Sequence, residues 1–254
     1  MSESSGPILF KQMQNEEKEE EKVPRVMKKS KSTTDAPSFS ELEIPSSLAQ
    51  NQKSSKSPED AHIHELLQEL KDCQYGDSGT VVKKVKNLYK FIDECKNKKL
   101  INKRKSEIIK VISLYVDTDS PAILIHIVQI LLSLQVRKQN LATAYKLVFK
   151  IAREAENDQC FMNSNVLDLL INSIAMACPV SDSEALVYGY GALKFLTMNS
   201  MTREKLGKMG ILDLVLLHLK LICEAKSERR VTDETSHVLF QLTGVIRKSF
   251  AILF

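Results

Sequence analysis

The feature that most constrains the fold of this chain is a repeat of apolar positions with a spacing of 45 residues. Residues 166–170 (Val-Leu-Asp-Leu-Leu) align with residues 211–215 (Ile-Leu-Asp-Leu-Val), and Phe161 aligns with Leu206. The apolar residues recur at helical spacing, as contacts between stacked units require. A helix bundle has no reason to repeat at this period, whereas solenoids of two or three helices per unit repeat about every 40–47 residues.

The repeat continues in the helix that closes each unit. Its aligned apolar positions, 45 and then 46 residues apart, are Val148, Leu193 and Leu239, and likewise Ile151, Leu196 and Leu242. We expect all six side chains in the core between stacked units. Truncating Leu193, Leu239 or, in the short first helix, Leu206 should therefore be costly.

Helical spacing of apolar residues also accounts for the chain from Ser57 onward. Ser57 is a favourable N-cap and Pro58 stands at the first helical position, which sets the start of the first helix. The helix at 121–136 is apolar nearly all round and should be buried on several sides. Further helices are expected at about 80–94, 102–116, 141–155, 164–177, 183–198, 202–208, 211–225 and 233–249. No sustained alternating pattern indicates a strand, so the sequence predicts an all-α solenoid.

Residues 1–57 have a different composition from the rest of the chain. They contain an acidic run at 16–21, a cluster of Arg and Lys at 25–31 and a Ser-rich stretch at 30–57. Branched and aromatic side chains are too sparse there to offset the entropy of ordering the backbone. We predict a disordered tail at 1–57 and a helical-repeat domain at 58–254. The tail is either a solvated linker, a phosphorylated docking segment or a nuclear-import signal.

The last copy of the repeat has a three-helix pattern. Residues 199–208 suit a short first helix, Gly210 a sharp turn and residues 211–217 an apolar second helix, and a third helix with a Leu-x-x-Leu core follows. This pattern resembles an armadillo repeat. A residue without a Cβ suits the tight turn between its first two helices. The earlier copy has Asn165 at the glycine position, and asparagine also tolerates the left-handed conformation.

The resemblance extends beyond one copy. Residues 111–126, 145–152 and 191–196 are similar to segments of a considerably longer member of the armadillo-repeat family, over about 59–247 of this chain. This resemblance implies a protein-binding scaffold or adaptor in axoneme assembly of cilia and flagella, in cells such as sperm. It also implies axonemal or ciliary transport components as partners, and a chain that is a short isoform or fragment of a longer protein.

In peptide-binding members of the family, the third helices line a groove with a ladder of Trp and Asn four residues apart. The matching positions in this chain are Lys146 and Lys150, Gly191 and Phe195, and His237 and Gln241. Neither Trp nor Asn occurs among them, and Gln241 alone offers a side-chain amide, so recognition of basic peptides is not expected. Lys146 and Lys150 would instead attract an acidic partner, or else form a solvated helix face.

Basic residues are densest at 83–105. The stretch is either a solvated polar face or a site for an acidic surface. The candidates for contacting such a surface are Lys83, Lys84, Lys103, Arg104 and Lys105. This stretch supports an alternative function, a nuclear transport or RNA-associated solenoid. Only Tyr89 and Phe91 are available to stack on bases, which makes nucleic acid the less favoured partner.

Signatures of other classes are missing from the sequence. It has no P-loop, dinucleotide fingerprint or nucleophile elbow, so we expect neither an enzyme nor a cofactor. His62 and His64 are two residues apart and cannot share a helix face for a metal, whereas His126 suits a hydrogen-bonded core position. The five cysteines should be reduced and buried. Without a signal peptide or an apolar span of about 18 residues, a cytoplasmic protein with no membrane contact is expected.

The C-terminal residues suggest an uncovered end of the solenoid. The chain stops after a run of apolar residues at 250–254, with no further helix to cover the last unit. The side chains expected at this open end are Leu214, Leu217, Leu221, Val238 and Val245. Because terminal units normally carry a polar outer face, we expect self-association through this end.

Overall fold

A computed structural model of the protein describes residues 57–74 and 76–250, with the backbone alone at residue 250. These residues belong to the unit formed by residues 54–254. Within them lie eleven α-helices and no β-strand: α1 (Pro58–Asp72), α2 (Ser78–Glu94), α3 (Lys98–Ile112), α4 (Pro121–Ser133), α5 (Gln139–Ala152), α6 (Asp158–Met162), α7 (Val166–Ala175), α8 (Ser183–Leu196), α9 (Ser200–Lys208), α10 (Ile211–Ser227) and α11 (Asp233–Phe250). The predicted all-α fold is confirmed, whereas the predicted disorder of the tail concerns residues outside the described ranges.

Local sequence explains where the helices begin. The Ser57 hydroxyl oxygen accepts a hydrogen bond from the backbone N–H of Asp60 at 3.2 Å, so α1 starts where the sequence predicts. Asp77 caps α2 in the same way. Asn97 caps α3, so this helix begins at Lys98 and not at about residue 102 as predicted. It ends at Ile112, before the predicted end at about residue 116. Each cap satisfies a backbone N–H that has no partner inside its helix.

The helices stack in the order that the repeat predicts. The third helices α5, α8 and α11 lie side by side, and the second helix α4 packs against α7, its counterpart in the next unit. The first helices α6 and α9 are also neighbours. Helix α4 additionally contacts α2 and α5, which explains why it is apolar on nearly every side. Equivalent helices in successive contact define an α-solenoid.

Burial shows that the step of the repeat stays at 45 residues in the last unit. Tyr190 is fully buried, and so is Thr235, which lies 45 residues further on. At the position equivalent to Leu193 the buried residue is Val238, whereas Leu239 is 39% exposed. The predicted step of 46 residues, and with it Leu239 as a core residue, is therefore wrong. The other predicted core positions are buried: Val148, Ile151, Leu193, Leu196, Leu206 and Leu242.

The turn between the first and second helices is built differently in the two copies. Gly210 has φ 78° and ψ 30°, the predicted left-handed conformation. Asn165 has φ −89°, so it does not use the left-handed conformation that asparagine tolerates. Its side chain instead donates to the Tyr89 hydroxyl and accepts from the Gln129 amide, both at 2.7 Å. His126 Nδ1 lies 2.7 Å from Gln129 Oε1, so the predicted hydrogen bonding of His126 is confirmed, but the residue is half-buried and not in the core.

The cysteines divide into buried and accessible thiols. Cys73 and Cys95 are buried as predicted, but Cys160 is half-buried and Cys178 and Cys223 are exposed. The last two lie on polar helix faces or in turns, which the apolar character of their surroundings in sequence does not reveal. All five are free thiols.

The side chains expected at an open end of the last unit are also arranged differently. Leu214, Val238 and Val245 are buried within the unit, contrary to that expectation, whereas Leu217 and Leu221 are half-buried. The exposed large apolar side chains on α10 and α11 are Leu216, Leu239 and Phe240. Residues 251–254, on which the expectation of self-association also depends, lie outside the described ranges.

Candidate protein-binding surface

Half-buried aromatic rings cross from α5 to α8. The Phe149 ring lies edge-to-face with the rings of Tyr188 and Phe195, with 5.8 Å and 5.6 Å between centroids. A Cβ on Gly191 would stand 2.9 Å from the Phe149 ring, so glycine lets this ring pack closely on α8. Such aromatic pairs contribute about 0.5–1.5 kcal/mol beyond the area that they bury.

Lys194 extends this row to α11. Its Nζ lies 5.6 Å from the ring centroid of Phe195 and 5.8 Å from that of Phe240, and it donates to Gln241 Oε1 at 2.9 Å. Phe240 is 68% exposed. Among the described residues Lys194 pairs with no carboxylate, so its charge faces a neutral amide and two rings.

Two further lysines stand at the α5 end of the row. Lys146 Nζ lies 2.8 Å from Glu184 Oε1 and 5.0 Å from the Tyr188 ring centroid. The hydrogen bond to Glu184 raises the pKa of Lys146. Lys150 Nζ lies 2.9 Å from Asp119 Oδ1. Because exposed pairs of this kind contribute about 0–1 kcal/mol, carboxylates of a partner can replace these two at little cost.

We call the surface formed by the third helices the third-helix face; its members are Lys146, Phe149, Tyr188, Lys194, Phe195, Phe240 and Gln241. The structure brings together four predicted site residues here, since Lys146 and Phe195 join Gln241 on the face and Lys150 lies at its edge. His237 is exposed one turn before Gln241 and takes no part in the ring contacts and hydrogen bonds of the row.

The sequence prediction missed the most exposed member of this face. With the step of 45 residues, the position equivalent to Lys150 and Phe195 is Phe240, whereas a step of 46 selects Gln241. The buried series Tyr145, Tyr190 and Thr235 carries the correct step in the sequence. Phe149, Tyr188 and Lys194 were missed for another reason: their contacts join neighbouring helices, and no spacing within one helix indicates them.

Some of the basic side chains at 83–105 form ion pairs within the fold. Arg104 bonds Asp60 at 2.7 Å, and Lys84 lies 3.7 Å from Glu69, so both tie their helices to α1. The carboxylate of Asp60 raises the pKa of Arg104. The other predicted members are Lys83 and Lys103, both exposed, and Lys105, whose Nζ donates at 3.2 Å to a backbone carbonyl in the α4–α5 turn.

Two buried tyrosines form hydrogen bonds that join the third helices α5 and α8 to the second helix of the next unit. Tyr145 on α5 bonds Ser173 on α7 at 2.9 Å, and Tyr190 on α8 bonds His218 on α10 at 2.9 Å. The two tyrosines are 45 residues apart, and so are Ser173 and His218, so the bond itself repeats. Burial raises the pKa of both tyrosines and lowers the pKa of His218 to about 4, which keeps its imidazole neutral near pH 7.

Within the described part of the chain, no helix has the length and apolar character needed to cross a membrane. No group of three or more His, Cys, Asp or Glu side chains in that part is arranged to hold a metal ion. The features that remain define a class: a helical-repeat protein with three-helix units and an aromatic and basic face on its third helices.

Within that class, the chain is similar to the protein named armadillo repeat-containing protein 2 in three mammals. It is 29% identical to the Bos taurus protein over 147 residues, 26% to the Mus musculus protein over 188 residues and 27% to the Homo sapiens protein over 146 residues. The matches cover 57–74% of this chain but only 17–22% of those relatives. No family model matches the chain, and no solved structure is significantly similar to it. The predicted resemblance to armadillo-repeat proteins is therefore confirmed.

Proposed function

We propose that this chain is a non-catalytic scaffold that binds protein partners through the third-helix face. The observation that carries the proposal is the continuous row of aromatic rings and lysines across α5, α8 and α11. Aromatic side chains are enriched in the cores of protein interfaces, where they provide large contact area at low entropic cost. Because successive units present equivalent strips of surface, an extended partner contacts several helices at once.

The charges of the face favour a partner segment that carries both carboxylates and apolar side chains. Lys194 has no carboxylate partner among the described residues and is the strongest cationic contact. Lys146 and Lys150 are paired with exposed carboxylates, which an acidic partner has to displace. Phe240 offers the largest accessible ring.

The cellular setting of this scaffold is a separate part of the proposal. We infer from the resemblance alone that the chain acts in the assembly of ciliary or flagellar axonemes, as in the sperm flagellum. Components of the axoneme or of ciliary transport are then its partners. The geometry supports protein binding but has no feature particular to cilia.

The alternative is an RNA-associated or nuclear transport solenoid that uses the exposed lysines of the 83–105 stretch. RNA binding that weakens steeply with salt, and that charge reversal at Lys83 and Lys103 abolishes, would favour this alternative.

Affinity capture from ciliated cells tests the proposal, with the full chain carrying Phe240→Ser or the pair Lys146→Glu and Lys150→Glu. The control is Leu216→Ser, because Leu216 on α10 is 61% exposed and lies outside the third-helix face. We expect proteins captured by the unmodified chain to fall about tenfold with the face variants, a loss near 1.4 kcal/mol, and to remain with the control. Equal recovery with all variants would contradict the third-helix face as the binding surface.

A further inference from the structure

The turn between α4 and α5 has an unusual backbone. Gln135 has φ 48° and Lys138 has φ 53°, so two non-glycine residues lie in the left-handed region within four positions. Such conformations are unfavourable for residues with a Cβ and persist only where surrounding structure enforces them. Val136, which is buried, anchors the turn, and Lys105 Nζ donates to the Gln135 carbonyl oxygen at 3.2 Å.

The turn concentrates positive charge. Arg137 and Lys138 are exposed on it, and Lys105 lies close enough to Arg137 for the two like charges to interact. Burial and the charge of Arg137 both lower the pKa of Lys105. Among the described residues these three cations form no ion pair with a carboxylate, in contrast to Lys84 and Arg104 nearby.

A groove of about 460 Å³ opens beside this turn. Leu141, Leu169 and Met176 provide apolar lining, and Asn172 provides a side-chain amide. The lining also holds one carboxylate, Asp182, whose Oδ2 accepts a hydrogen bond from the backbone N–H of Cys178 at 3.0 Å, so the two cations Arg137 and Lys138 outnumber it. Met176 is 48% exposed, so a flexible apolar side chain is accessible at this groove. A second cavity of about 380 Å³ shares part of this lining at Leu169.

We propose that this groove binds an acidic segment of a protein partner, separately from the third-helix face. Carboxylates of the segment would meet Arg137 and Lys138, which line the groove, with the charge of Lys105 close by. An apolar side chain would cover Met176, whose flexible thioether adapts to varied shapes. The proposal favours protein over nucleic acid because neither cavity has an aromatic ring in its lining, and binding of single strands depends on stacking against such rings.

Fluorescence anisotropy of a labelled peptide that alternates Glu and Leu, added to the full chain, tests this assignment. We expect Arg137→Glu with Lys138→Glu to weaken binding by about tenfold or more, as expected when attractive charges become repulsive. Met176→Ser should weaken it several-fold without any change of charge. Lys83→Glu with Lys86→Glu carries the same change of charge on α2 and should leave the affinity within about twofold. Circular dichroism checks that each variant keeps its helix content.

Four results would overturn the proposal. The first is an equal loss in the Lys83 and Lys86 control, which would show attraction by net charge alone. The second is an unchanged affinity in both the Arg137 and Lys138 variant and Met176→Ser. The third is binding of oligouridine in place of the peptide with the same dependence on Arg137. Loss of peptide binding in Phe240→Ser alone would place the peptide on the third-helix face and also count against the groove.

Discussion

Helices α8 and α11 occupy equivalent places in successive units but differ in how much apolar surface they bury. Helix α8 packs between α5 and α11, and its Leu193 is fully buried. Helix α11 packs against α8 and α10, and within the described residues no further third helix covers it. Leu239 and Phe240 lie on its exposed side, at the positions equivalent to Lys194 and Phe195, whereas Val238, the equivalent of Leu193, is buried. The comparison shows that the register within a third helix, and not apolar character alone, decides whether a residue is core or interaction surface.

The largest expected effect separates Leu193 from Leu239, the two leucines that a step of 46 residues would make equivalent. Leu193→Ala should lower the free energy of unfolding by about 2–5 kcal/mol, because it leaves a cavity between stacked helices. Leu239→Ala should cost less than about 1 kcal/mol, because the side chain already contacts solvent. Urea denaturation measures both. Similar losses for the two variants would restore the step of 46 residues.

The two tyrosine bonds should also differ in how they depend on pH, because Tyr190 bonds a histidine and Tyr145 bonds a serine. The folded pKa of His218, about 4, lies below the value of about 6.5 in an unfolded chain. The unfolded state therefore binds more protons between these values, and stability is complete above pH 6.5 and falls as the pH drops towards 4. The loss from this histidine should reach about 3 kcal/mol, an order-of-magnitude figure.

The variant His218→Ser isolates this contribution, because serine is the residue at the equivalent position, Ser173, of the preceding unit. Denaturation at several pH values should show a smaller loss of stability between pH 6.5 and 4 than in the unmodified chain. The same pH dependence in both proteins would mean that the pKa of His218 is the same in the folded and unfolded states, contrary to this account.

Removing each tyrosine hydroxyl sharpens the contrast between units. Tyr190→Phe leaves the buried His218 ring nitrogen without its partner and should cost about 1–3 kcal/mol. Tyr145→Phe should cost nearer 0.5–1 kcal/mol, since Ser173 is only half-buried and can bond water instead. Thermal or urea unfolding of the two variants gives the comparison, and a larger loss for Tyr145→Phe would refute this account of burial.

The smallest expected effect concerns the two turns. Gly210→Ala should cost about 1 kcal/mol, because a Cβ is unfavourable in the left-handed conformation. Asn165→Gly should gain nothing from backbone freedom and should lose stability with its bonds to Tyr89 and Gln129. A stabilised Asn165→Gly variant, measured in the same denaturation assay, would contradict the different construction of the turns.

Several features of the fold were predictable because they depend on local periodicity. The starts of α1 and α4 follow from Ser57, Pro58 and Pro121, and the buried faces follow from helical spacing. The step of the last unit was predicted wrongly, because Leu239 and Leu242 have the same Leu-x-x-Leu spacing as Leu193 and Leu196 in α8. The core residue equivalent to Leu193 is Val238. Neighbouring apolar residues on a helix differ by 100° in direction, so an error of one position moves a side chain from core to surface.

The candidate sites were less predictable than the fold. A density of Lys in sequence does not show which charges the fold pairs, and Arg104 is bound to Asp60, which lies 44 residues earlier. The left-handed backbone at Gln135 and Lys138 could not be predicted, because neither position is a glycine or an asparagine. Both features arise from contacts between helices that are distant in sequence, and periodicity within one helix contains no information about them.

The most direct test of the central claim is site-specific photo-crosslinking in ciliated cells. A benzophenone side chain replaces Phe240 on the third-helix face or, in the matched control, Leu216 on α10, since both positions are exposed to a similar extent. The account predicts crosslinks from position 240 to defined partner proteins, and few or none from position 216. Equal crosslinking from the two positions, or crosslinks from position 216 alone, would contradict the assignment of the third-helix face as the surface that binds protein.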